Sequence, residues 1–157
     1  MFAVTIIAVG KLKERFWKDA CAEYAKRLSG YLDLRIIEVP DRGARGRGDV
    51  ADVLEREAAD ILGTLPASSH VVLLDIDGRQ YSSEQLSEHL DDLKLSGHGT
   101  FSFVIGGSYG VSDKVRSRAD ERLSFGKMTL PHNLARVVLL EQLYRCARIS
   151  RGEPYHK

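Results

Sequence analysis

Four short, almost uninterrupted apolar runs constrain this chain more than any other feature: residues 2–9, 34–39, 71–76 and 101–105. A strand with one wet face alternates polar and apolar positions. A run that is apolar throughout has to be covered on both faces, as in a parallel sheet sandwiched between helices. The intervening segments carry the helical period. Phe16, Trp17, Ala20, Cys21, Tyr24, Ala25 and Leu28 recur at spacings of three and four over 14–28, and Val50, Val53, Leu54, Ala58, Ile61 and Leu62 do so after Asp49, a natural cap. Asp77-Gly78 has the composition of a turn closing the third strand, and Ser82 with Gln85 forms a capping box for a helix reaching about Leu95. Gly97-His98-Gly99 breaks that helix. Ser112 or Asp113 caps a short charged helix ending at Arg118, 121–124 reads as a short fifth strand, and Asn133 caps a last helix running to about Ile149. The expectation is one α/β domain over 1–157, with a mainly parallel sheet and helices on both faces.

Composition narrows the class. Of the 157 residues 43% are hydrophobic and 29% charged, as in a globular protein with a real core. No run approaches the roughly 20 apolar residues that span a bilayer. The N-terminus has no basic region of the kind that opens a signal peptide. Cys21 and Cys146 sit in predicted helices without a Cys-x-x-Cys spacing, and the histidines are scattered. A cytoplasmic protein without disulfides, metal or membrane attachment is expected. The net charge of +1 does not mark a nucleic-acid binder, but the charges are clustered. Arg42, Arg45 and Arg47 fall in a glycine-rich loop, and Arg136, Arg145, Arg148, Arg151 and Lys157 load the C-terminal end. Such patches suit a polyanionic partner as well as an ordinary mixed surface.

In an open parallel sheet a ligand sits beyond the carboxyl ends of the strands. Three features fall there: Leu74-Asp75, the turn Gly106-Gly107-Ser108-Tyr109-Gly110, and the stretch Ser-Phe-Gly-Lys-Met-Thr-Leu-Pro-His at 124–132. The glycine turn has neither the order of a dinucleotide fingerprint nor the ending of a P-loop. Its adjacent glycines allow a ligand, or merely another backbone, to come close. The stretch 124–132 is irregular, since it contains Gly126 and Pro131, yet it carries Phe125, Met128 and Leu130. That combination predicts a packed loop whose backbone groups bond either a ligand or neighbouring protein.

Taken together, Val104 to Gly110, Ser124 to His132, Arg136 to Arg145 and the terminal Pro154-Tyr155-His156-Lys157 resemble the RlmH family, SPOUT-class methyltransferases acting on pseudouridine of large-subunit ribosomal RNA. Ile7 to Lys11, Ile37 to Pro40 and Leu74 to Gly78 fit as well, so the resemblance spans essentially the whole chain. It implies a C-terminal deep trefoil knot, a homodimer, and S-adenosylmethionine held by Leu74, Gly106, Phe125, Gly126, Lys127, Met128, Thr129 and Leu130. It also implies methyl transfer to N3 of a pseudouridine in 23S RNA of assembled ribosomes. An imide nitrogen is a poor nucleophile while protonated, so a base or an oxyanion-stabilising group is expected. His156 and Tyr155 are the candidates for that chemistry, with Arg136 orienting the tail or a phosphate. Lys157 is a candidate phosphate contact, and Arg42, Arg45 and Arg47 are candidates for steering RNA.

Overall fold

The computed structural model describes residues 2–43 and 49–155. Five strands, β1 (Ala3–Val9), β2 (Asp33–Val39), β3 (His70–Gln80), β4 (Thr100–Ile105) and β5 (Glu121–Ser124), form one sheet in the order β2-β1-β4-β3-β5. Every pairing is parallel. The helices between them are α1 (Arg15–Leu28), α2 (Val50–Thr64), α3 (Ser83–Leu95), α4 (Asp113–Arg118) and α5 (His132–Ser150).

Strand periodicity divides the core in two. Ile6, Val72, Phe103 and Leu123 point to one face and pack with Cys21 and Leu28 of α1, Leu86 and Leu90 of α3, and Leu139, Leu140, Leu143 and Cys146 of α5. Their neighbours Ile7, Val71, Leu73 and Val104 point to the other face, against Ala58 and Ile61 of α2 and Val115 of α4. The continuous apolar runs are therefore explained as expected: each strand feeds two cores. The edge strand β2 is the exception, with alternating exposure that ends on buried Val39.

The predicted caps hold in part. Asp49 accepts a hydrogen bond from the amide of Ala51, and Ser82 with Gln85 forms the reciprocal capping box. Asn133 does not cap α5. The helix begins at His132, two residues before the start that an Asn133 cap implies, after Pro131, whose φ of −55° already suits a helix start. Ser112 is the residue before α4, but its hydroxyl makes no cap bond. Val50, predicted to be buried, is 45% exposed at the start of α2. Among the described residues, no helix is long and apolar enough to cross a membrane.

Asp77-Gly78 does not end β3. The strand continues to Gln80, and its register against β5 jumps, so that Leu74 and Arg79 both stand opposite Leu123. The glycine is required there. A Cβ on Gly78 would lie 2.7 Å from the carbonyl carbon of Arg122 and 2.8 Å from the amide nitrogen of Leu123. Two stretches of main chain thus touch directly, with no side chain between them.

Candidate active site

The middle of β3, at 74–77, and the carboxyl ends of β4 and β5 open onto a pocket of about 510 Å³, closed on its remaining side by the first turn of α5. Glycines shape it. A Cβ on Gly106 would stand 2.8 Å from Val111 and 2.9 Å from the carbonyl oxygen of Gly110, so no larger residue fits. The turn folds back on itself through the Gly110 amide, which donates to the Gly107 carbonyl at 3.1 Å, with Gly110 at φ +81°. On the β5 side, the buried Ser124 hydroxyl accepts from the Gly126 amide and donates to the Gly126 carbonyl, both at 3.1 Å. That bracket sets the course of the loop into α5. The first amides of α5 have no side-chain cap and lie at the pocket rim, an arrangement that favours an anionic group.

Of the eight residues expected to hold a cofactor, the structure brings seven together. Leu74, Gly106, Phe125, Gly126, Met128, Thr129 and Leu130 all line the pocket, while Lys127 does not. The expectation that this loop is packed is not met within the chain. Met128 is 87% exposed, and Phe125 and Leu130 are exposed as well. The cause is that the loop arches over an open cavity instead of over the core.

Two charged residues stand at this site: Asp75, which the sequence marks together with Leu74 as a ligand position without giving it a role, and Arg116, which the sequence reading did not single out. Asp75, an acid that follows the apolar run of β3, lines the pocket with its side chain only 11% exposed. It accepts from the Asp77 amide at 3.0 Å and faces Arg116 at 3.7 Å and Arg122 at 3.5 Å. An acid following a buried apolar run was the available signal. Arg116 gave none, because α4 reads as an ordinary charged helix.

Arg136, expected to orient the tail or a phosphate, does not line the pocket and is withdrawn from solvent. It is 3% exposed, and its Nη1 donates to Glu38 Oε2 at 2.7 Å and its Nη2 to the Gly10 carbonyl at 3.2 Å. It staples α5 to the ends of β1 and β2. Tyr155 lies along α5 of its own chain. Its hydroxyl donates to Glu141 at 2.8 Å, its ring meets Tyr144 edge-on at 5.3 Å, and Arg145 covers it at 4.3 Å. Burial and the bond to Glu141 raise the Tyr155 hydroxyl above its usual pKa. Burial also pushes Glu141 up, but donors on Arg145 and Tyr155 outweigh it and hold the carboxyl below its ordinary value. Arg42 pairs with Asp60 at 3.0 Å, away from the pocket. His156, Lys157, Arg45 and Arg47 lie outside the described residues. Cys21 and Cys146 are buried core residues, and burial pushes the Cys146 thiol up to about 12.

A family model described as a predicted SPOUT methyltransferase matches residues 2–156. The chain belongs to the RlmH family of SPOUT methyltransferases. Among similar proteins, the ribosomal RNA large subunit methyltransferase H of Bacillus cytotoxicus is 51% identical over 157 residues, covering 98% of this chain and 99% of that one. Proteins of the same name from Clostridium acetobutylicum (50% over 157 residues, 98% of this chain and 99% of the other) and Desulfitobacterium hafniense strain Y51 (48% over 160 residues, all of both chains) are comparably close. The fold is also shared with a probable methylase family protein from Haemophilus influenzae. There the TM-score is 0.56 at 12% identity, over 98% of this chain and 70% of the other.

Proposed function

We propose that this SPOUT methyltransferase transfers a methyl group from S-adenosylmethionine to N3 of a pseudouridine in 23S ribosomal RNA, as a homodimer acting on assembled ribosomes in the cytoplasm. The observation that carries the reading is the convergence of Leu74, Gly106 and the 125–130 loop on one pocket at the strand ends. Its volume of about 510 Å³ falls in the range of cofactor sites. The donor chemistry of the lining fits the same group. Leu123, Leu130 and Val111 offer an apolar slot for adenine, and the bare backbone at Gly106 and Gly107 admits close approach. Asp75 sets a carboxylate near a cationic centre. When bound, S-adenosylmethionine supplies an electrophilic methyl group on a sulfonium.

The chain's own residues have three tasks: to hold the cofactor, to exclude water and to take the N3 proton. Phe125, Met128 and Leu130 present apolar surface at the mouth, where a second protomer and the substrate base shield the reacting atoms. His156 is proposed as the proton acceptor, since imidazole is the side chain best suited to exchange a proton near neutral pH. Tyr155 gives its one O–H to Glu141, and is proposed to orient the base through its ring or as an acceptor at its hydroxyl oxygen. Lys157, Arg42, Arg45 and Arg47 are proposed to contact or steer RNA phosphates. Arg136 acts through α5: by tying the helix to Glu38 and Gly10 it fixes where the pocket wall begins.

The proposed C-terminal knot has support from the direct contact between Gly78 and the Arg122–Leu123 main chain and from the register jump at Leu123. Calorimetric titration with S-adenosylmethionine tests the function together with tritiated methyl transfer to pseudouridine-containing ribosomes. Well-folded protein that binds no cofactor would sink the reading.

A further inference from the structure

A second recess, of about 330 Å³, opens on the β5 edge of the sheet and shares Asp77 with the wall of the cofactor pocket. One side of it is a stack of planar groups. The Tyr81 ring lies on the His89 ring at 5.2 Å and 23°, and the Arg79 guanidinium lies over Tyr81 at 4.7 Å. The base of the stack is fixed from beneath. His89 Nε2 is 2.9 Å from each oxygen of Glu121, and Glu121 Oε2 is also 2.7 Å from His70 Nε2. A carboxylate only accepts, so both imidazoles donate to it and neither ring is free to turn. Arg79 itself is exposed at the open end. Arg122 lines the same recess at 49% side-chain exposure, and it shares the single carboxylate of Asp75 with Arg116 at the rim of the pocket.

We infer that this edge holds an unpaired RNA segment flanking the nucleotide to be methylated, with one base stacked on Arg79 and adjoining phosphates on Arg122 and Arg116. Three physical features support that occupant. A guanidinium already laid flat on an aromatic ring is pre-ordered to receive a base as the next layer. Arg79, Arg116 and Arg122 are all exposed, and although Asp75, Asp77, Asp113 and Glu121 make the rim mixed in charge, their planar guanidinium forks are groups suited to phosphate oxygens. The recess also shares a residue with the cofactor pocket, so a strand lying in it leads toward the methyl donor. The inference rests on the RNA-methylation reading and adds a substrate surface separate from the cofactor-holding residues.

The test uses the full chain with assembled ribosomes and three proteins: wild type, R79A/R122A and R79K. The double variant is expected to raise the KM for ribosomes about tenfold while kcat and the Kd for S-adenosylmethionine stay within about twofold. Its salt dependence should be shallower by about 0.7 in logarithmic slope for each phosphate that the protein no longer neutralises. R79K keeps the charge but not the plane, so it should retain the wild-type slope while KM still rises. An unchanged KM and slope in R79A/R122A would overturn the proposal, and so would a parallel loss of cofactor affinity. If wild type binds ribosomes but transfers no methyl group, the methylation reading fails on its own. Cosedimentation then decides the edge: weaker ribosome binding by the double variant supports it, and equal binding overturns it.

Discussion

Replacing Arg136 by methionine keeps much of the buried stem but removes both guanidinium bonds, at 2.7 Å to Glu38 and 3.2 Å to the Gly10 carbonyl. Cutting one partner from a fully buried ion pair costs about 3–5 kcal/mol. Here the abandoned partner has an escape. Glu38 is 32% exposed and still accepts from the Leu12 amide at 3.2 Å, so water recovers part of its solvation. The Gly10 carbonyl loses a charged donor, a loss of about 1.5–3 kcal/mol, while the freed interior no longer has to hold a cation. A net destabilisation of about 2–3 kcal/mol follows, which for a chain of this size lowers the melting midpoint by about 5–10 °C. Thermal unfolding of R136M, E38Q and the double variant measures this, and a coupling of about 1–2 kcal/mol between the two sites is expected from direct contact. Assayed well below its melting point, R136M should retain methyl transfer. A midpoint within about 1 °C of wild type together with abolished transfer would refute the staple and return Arg136 to the substrate.

Gly78→Ala should cost about 3 kcal/mol in urea unfolding, because its Cβ meets immovable main chain, whereas Gly63→Ala, in α2 with open space around it, should gain about 0.5–1 kcal/mol. Gly106→Ala should abolish S-adenosylmethionine binding by calorimetry, since its Cβ would press on Val111 and the Gly110 carbonyl. Glu141 has a folded pKa below its unfolded value, so it adds stability that is present above the ordinary glutamate range of about 4.3 and is lost as pH falls through the folded value. Tyr155→Phe removes one donor, and the acid limb of a stability–pH profile should move to higher pH. Neither Cys21 nor Cys146 should react with a maleimide at pH 8 until the protein unfolds, because burial raises both thiols.

Much of this architecture was legible from the sequence because parallel strands advertise double burial. The runs around Ile6, Val72 and Phe103 were recognisable for that reason, and strand ends are where ligands sit. Three features escaped for physical reasons. Asp77-Gly78 looks like a turn, but this glycine serves a direct main-chain contact with β5, which depends on a strand more than forty residues away. Arg136 looks like a solvated first-turn residue, because its partners Glu38 and Gly10 are distant in sequence. The exposure of Met128 was unexpected because apolar composition does not distinguish a loop covering a core from one framing a cavity. The cofactor set itself came from the family resemblance; the residues of 124–132 alone favoured an ordinary buried connection.

The pocket draws its walls from three segments that leave the ribosome in succession: the middle of β3, the glycine turn after β4, and the loop from β5 into α5. None of them encloses anything alone. A nascent chain that has already formed β1 to β4 has two open walls, and only synthesis of the last segment closes the third. The chain therefore acquires its binding site late in its own translation. The same last segment brings Leu139, Leu140 and Leu143 of α5 to one face of the sheet, so completing the pocket and completing that core are one event.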